Sequence, residues 1–132
     1  MFGEGFQNAV TMEIAQKDLF LVEFEGLTFN IYDWQTVSFS VNNKEKKLVL
    51  RIVEPLFEGD LLIDKLSKID GEFTVICSIF GKKNRLAYTK TYSGCKIEEY
   101  NEDDLSLHDD SMLTTMVVCK FDDVEYEKKW VN

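Results

Sequence analysis

A lone histidine in a run of carboxylates is the plainest chemical feature of this chain. Glu102, Asp103, Asp104, His108, Asp109 and Asp110 fall in one short stretch, and imidazole with carboxylate oxygens is a donor set for divalent cations. The spacing does not fit a calcium loop, which alternates oxygen ligands around a glycine; a solvated acidic turn accounts for the same residues. His108 stands among acids rather than at an apolar lip, and no nucleophile is spaced to use it, so no acid, base and nucleophile set can be placed. The expectation is a protein that is not an enzyme, with no metal and no cofactor. Cys77, Cys95 and Cys119 are odd in number, lack CxxC spacing and lie in apolar-alternating stretches, which predicts reduced, partly buried thiols. Trp34, Tyr88, Tyr92, Tyr100, Tyr126 and Trp130 could stack on a carbohydrate, but aromatic residues in strands more often serve cores and subunit contacts. Gly3 and Gly5 follow no strand and make no phosphate loop.

The elements that would position these residues belong to one domain. The chain has 132 residues, 45% of them hydrophobic and 13% aromatic, with a single proline, which suits one core over residues 1–132 rather than a disordered or linker-rich chain. No apolar run reaches the roughly 18 residues of a membrane helix, and Met1-Phe2-Gly3-Glu4 lacks a basic secretory start, so a soluble, cytoplasmically made protein is expected. A net charge of −9 repels phosphates and argues against direct DNA binding, although an acidic wall suits a conduit through which DNA slides without sticking.

Along the chain, Phe2, Phe6, Val10 and Ile14 form an i+4 apolar stripe, so residues 1–18 read as an N-terminal arm or short helix in need of a docking surface. The period then changes to two. Phe20, Val22 and Phe24 oppose Leu21, Glu23 and Glu25, and Gly26 ends the strand. Val37, Phe39 and Val41 and then Leu48, Leu50 and Ile52 form a hairpin around Asn42–Lys46, closed by Pro55. Asp60 is the expected N-cap of an inserted helix over about 60–70, with Leu62, Leu66 and Ile69 inward, Lys65 and Lys68 exposed, and Asp70-Gly71 as its stop. Phe73, Val75, Cys77 and Ile79 turn through Gly81–Asn84 into Leu86, Tyr88, Lys90 and Tyr92. Ser93-Gly94 separates a short strand, and a final long strand runs Leu113–Phe121. The fold class is mainly β, an antiparallel sandwich or barrel with one helix.

Two ordered sets of residues carry a family resemblance. Asp18-Leu19-Phe20-Leu21-Val22-Glu23-Phe24 follows a Met-Phe start and an arm. Later come Thr89–Tyr92, Gly94, Leu105-Ser106-Leu107, Asp109-Asp110-Ser111, Leu113–Phe121 and Tyr126. In this order the chain resembles the tail tube proteins of contractile-tailed bacteriophages. The resemblance implies a tail-tube-like virion protein, assembled in the host cytoplasm, whose hexameric rings stack into a tube. Its partners would be copies of itself, a sheath, and baseplate and tail-terminator proteins, with DNA passing through the lumen unbound and no membrane contact. Ile31–Lys47 is compact beside the long hairpin of typical members, which leaves room for a tube-initiating baseplate protein or the tube of a related injection or secretion system. A small-ligand-binding β-barrel is the alternative from a different class.

On this reading the hairpins Val37–Val53 and Phe73–Tyr92 are candidates for the channel wall. Their tips, with Lys44, Lys46, Lys47, Lys82 and Lys83, would meet the acidic Glu102, Asp103 and Asp104 of a neighbour, while Phe2, Phe6 and Val10 pack on an adjacent protomer.

Overall fold

In a computed structural model of the chain, residues 15–27, 35–55, 61–81 and 83–128 are described. Their elements are β1 (Ala15–Glu25), β2 (Gln35–Asn42), β3 (Lys47–Val53), α1 (Leu62–Ser67), β4 (Phe73–Gly81), β5 (Leu86–Glu102), β6 (Thr114–Lys120) and β7 (Asp123–Lys128). The leader stripe of Phe2, Phe6, Val10 and Ile14 lies outside the described residues. Ala15–Asp18, expected in the arm, is already strand.

All strand pairs are antiparallel, in the order β1-β4-β5-β6-β3-β2, with β7 also on β5. Two sheets result, and β5 belongs to both. Its first half lies between β4 and β7, and its second half pairs β6. Sheet A is thus β1-β4-β5-β7 and sheet B is β5-β6-β3-β2. The two ends of the path, β1 and β2, approach each other, so the arrangement is barrel-like.

Period-two patterning places the core where it was expected. Leu48, Leu50 and Ile52 are fully buried from β3, and Phe73, Val75, Cys77 and Ile79 are buried from β4. Val22 is buried in β1 with Phe20 and Phe24 packed beside it, while Leu21, Glu23 and Glu25 face out. Tyr92 stands at the centre, edge-on to Phe121 with centroids 4.8 Å apart and 5.8 Å from the Phe39 ring. Lys90 Nζ covers Phe39 at 5.2 Å, a cation–π contact that lets a lysine share this region.

Three sequence expectations need correction. Ser93-Gly94 does not separate two strands; it is the corner of one strand of 17 residues. Gly94 takes φ +66° there, a conformation open to glycine. The strand expected over Leu113–Phe121 is β6, and after a break at Phe121-Asp122, opposite that same corner, the chain continues into a further strand, β7. Ser93 pairs Asp123 and Lys96 pairs Lys120 in one unbroken register, so β5 and β6–β7 form one long hairpin folded across both sheets, as when strands switch sheets at a bend.

Helix α1 is short, and its N-cap is Leu61, which has no capping side chain. Asp60, the expected cap, lies outside the described residues. The Leu62 amide instead donates to Glu54 Oε2 at 2.9 Å, a carboxylate brought from the end of β3 to the positive end of the helix. Lys65 is buried, at 6% exposure, rather than exposed. In β6 both Thr114 and Thr115 are buried, so its end facing the β5–β6 loop is covered on both faces.

Candidate functional site

The loop 103–113 between β5 and β6 is held at its stem by one carboxylate. Asp103 Oδ2 accepts from the Thr114 amide at 2.9 Å and from the Thr114 hydroxyl at 2.7 Å, and Asp103 Oδ1 accepts from Arg51 Nη1 at 2.8 Å. The Asp103 amide donates to the Thr114 carbonyl at 3.2 Å. These bonds, the Thr114 hydroxyl first, hold the Asp103 carboxyl below its ordinary range. Farther out, Asp109 Oδ1 accepts from the Ser111 amide and hydroxyl at 3.0 and 2.6 Å, which lowers its pKa as well. His108 has φ +72°, in the left-handed region where a short polar turn suits it.

The acidic residues thus build a turn. Among the described residues no group of histidine, cysteine and carboxylates is arranged to hold a metal ion. What the loop presents is apolar. Leu105 and Leu107 are 86% and 90% exposed, and Met112 and Leu113 are largely exposed beside them. With the acids they line an open groove of about 580 Å³.

The predicted lysine tips are not gathered into one place. The β2–β3 turn sits at the corner of the fold, where the Phe121 amide donates to the Lys46 carbonyl at 3.0 Å and Lys46 Nζ donates to the Asp122 carbonyl at 2.9 Å. Lys44 is exposed on this turn, and Lys47 pairs with Glu98 at 3.4 Å. Lys83 is exposed on the β4–β5 turn, at the end of β4 away from the corner; Lys82 lies outside the described residues. Glu102, Asp103 and Asp104 are at the far end of sheet B. Among the described residues, Asp103 is the one of these whose side chain is bonded to partners, Thr114 and Arg51.

One arrangement escaped the strand-by-strand reading. Lys47, Lys120 and Lys96 are direct partners across β3, β6 and β5. Each was visible at the rim of a strand, but only the register shows them in a row.

The three cysteines are free and buried. Burial raises the Cys77 thiol and pushes Cys95 up to about 11 and Cys119 up to about 12, which makes them poor nucleophiles at neutral pH. Tyr92 and Phe121 fill the interior where a ligand-binding barrel would hold its ligand. Among the described residues no helix is long and apolar enough to cross a membrane.

The fold is shared with chains of solved contractile assemblies. A chain of the anti-feeding prophage baseplate, symmetrised six-fold, superposes with a TM-score of 0.64 at 13% identity, over 89% of this chain and 98% of that one. A chain of the sheath–tube complex of an extracellular contractile injection system, PVC, in the extended state gives 0.63 at 14% identity, over 94% and 97%. A chain of the PVC sheath/tube terminator gives 0.63 at 10% identity, over 89% and 99%. No protein-family model matches the chain, and no curated protein does. The resemblance to tube proteins of contractile tails is therefore met in the fold, which this chain shares with components of contractile injection assemblies.

Proposed function

We propose that this protein is a structural subunit of the tube of a contractile tail or injection system. The observation that carries the reading is the fold shared with a sheath–tube complex over 94% of this chain and 97% of the other. Physical features support it. Among the described residues β1, β2 and β7 each pair on one side only, as does the second half of β5. Open edges template further pairing, and closure across subunits removes them. Six copies would close a ring and rings would stack, with the single domain 1–132 as the repeating unit. The N-terminal residues Phe2, Phe6 and Val10 would pack on a neighbour. Lys44, Lys46, Lys47, Lys82 and Lys83 would face acidic groups of the next copy, among them Glu102 and Asp104, beside an Asp103 that holds the loop stem.

A sheath would close outside, baseplate and terminator proteins would cap the ends, and DNA in a phage tail, or another cargo, would pass through. The net charge of −9 favours passage of phosphates without adsorption. The particle, a virion in the phage case, would be assembled in the host cytoplasm.

Negative-stain electron microscopy over a concentration series tests this directly. Hollow rings or tubes of uniform width are expected, and monomers at every concentration would overturn the main-tube reading. The likeness to baseplate and terminator chains favours one second reading, a tube-initiating or tube-ending subunit. That protein would stay small alone and form a ring only when tube subunits are added.

A further inference from the structure

Sheet B carries a charge pattern that its own folding opposes. Lys47, Lys120 and Lys96 are in register across adjacent strands. Leu48, Cys119 and Cys95, their chain neighbours, are fully buried, so strand alternation sends all three ammonium groups to the outward face. Direct partners are only about 5 Å apart, and like charges so placed weaken pairing. Glu98 and Glu72 reach the outer two at 3.4 and 3.7 Å. Lys120, in the middle, is exposed, and no ion pair forms to it among the described residues. Beside the row on the same face stands the half-buried Val49, whose direct partner Val118 is already buried.

The other end of β6 is its complement. About 20 Å along the strand from Lys120 stands the loop stem at Thr114, and beyond it the exposed Asp104 and Asp110 flank Leu105 and Leu107. Because the stem is bonded through Asp103, the two leucines are presented rather than left to fold back onto the chain. A basic row beside the half-buried Val49 and an acidic loop with an apolar tip match in charge and in character. Within one chain they are too far apart to meet.

We infer that the loop 103–113 of one copy docks on the lysine row of a second copy, head to tail. Leu105 and Leu107 cover Val49 and the lysine stems, and Asp104 and Asp110 neutralise Lys120 and Lys96. The inference rests on the reading of the chain as a subunit of a repeating assembly. It deepens that reading, since a heterologous contact of this kind repeats into a ring or a stack.

Charge exchange tests it. One variant carries K96E and K120E, the other D104K and D110K; Asp109 is left intact because it caps the turn. Each alone should raise the concentration needed for assembly roughly tenfold to hundredfold. Their equimolar mixture should recover wild-type assembly, because alternating copies restore opposite charges at every contact. The chain bearing all four substitutions should recover it too. L105S with L107S should raise the threshold without altering its salt dependence. The K120E change sets a carboxylate between Lys47 and Lys96, so thermal stability should hold or rise, which separates lost docking from lost folding.

If wild type assembles and the charge variants assemble like it, the docking contact is refuted while the tube reading stands. Wild-type monomers at all concentrations would refute both. Impaired variants that the mixture does not rescue would overturn the pairing and assign the row to another acidic partner. DNA binding lost only with K96E and K120E would do the same and assign it to nucleic acid.

Discussion

Replacing Gly94 by alanine should destabilise the fold more than the same change at Gly71, although both glycines have positive φ, +66° and +88°. The left-handed backbone alone costs a residue with a Cβ about 1–2 kcal/mol, and this part is common to both sites. The surroundings differ. A Cβ at Gly94 would lie 2.7 Å from Asp122 Cγ and 2.9 Å from Asp122 Cβ, whereas at Gly71 nothing lies within 4 Å. The Asp122 Cβ cannot rotate away, since it is fixed by its own backbone, whose amide donates to the Ser93 carbonyl at 2.9 Å. Forcing the two strands apart at this corner adds about 1–3 kcal/mol by analogy with overpacked interiors. Urea unfolding at constant m should therefore show losses of about 2–5 kcal/mol for G94A and about 1–2 kcal/mol for G71A. In a D122G background the cost of G94A should fall to that of G71A. Equal losses at the two glycines, or a G94A cost that survives D122G, would refute the account of the corner as a close approach of β5 to the β6–β7 break.

Other outcomes follow from the same structure. Among the described residues the buried Tyr92 hydroxyl has no hydrogen-bond partner, so Y92F should leave stability unchanged or raise it by about 1 kcal/mol, read from the urea midpoint. Burial raises the Cys95 and Cys119 thiols to about 11 and about 12. Below about pH 8.5 folded and unfolded chains both keep these protons; above it the unfolded chain releases them first. Unfolding midpoints should therefore fall as pH rises from 8.5 toward 11, and a chromogenic disulfide reagent at pH 8 should react only as the chain unfolds. The Asp103 carboxyl is held low by Thr114 and then Arg51, so its contribution is present above about pH 4 and disappears as acid protonates the folded form. D103N should cost about 1–3 kcal/mol at pH 7 and remove that acid dependence, measured by thermal melts at pH 7 and pH 3.

Alternation made much of this fold legible. Leu48, Leu50 and Ile52, and Phe73, Val75, Cys77 and Ile79, could be placed inward because each strand has one buried face and a period of two. The turns at Asn42–Lys46 and Gly81–Asn84 were equally plain, and Lys46 and Asn84 do take positive φ there. The corner was not legible. Ser93-Gly94 has the composition of a separator, and only tertiary pairing with Asp122 and Asp123 shows that the chain bends there and continues. Lys65 looked like a solvent-facing helix residue because a six-residue helix offers too little sequence to fix its rotation. Arg51, which clamps Asp103 from another strand, carried no local signal. For the lysine row the signal existed, since Lys47, Lys96 and Lys120 each alternate with a core residue, but register between distant strands was needed to align them.

The strand shared by both sheets has a mechanical consequence. In an ordinary sandwich, a push on one sheet reaches the other through side-chain contacts that can slide. Here β5 runs unbroken from the β4–β5 turn to the stem of loop 103–113, and β6–β7 follows it across the corner in the same register. Thrust delivered to that loop passes along covalent backbone and a hydrogen-bond ladder loaded in shear, into the centre of the opposite sheet. The two halves of the domain cannot slip past one another without breaking that ladder, so the subunit would bear axial load as one piece.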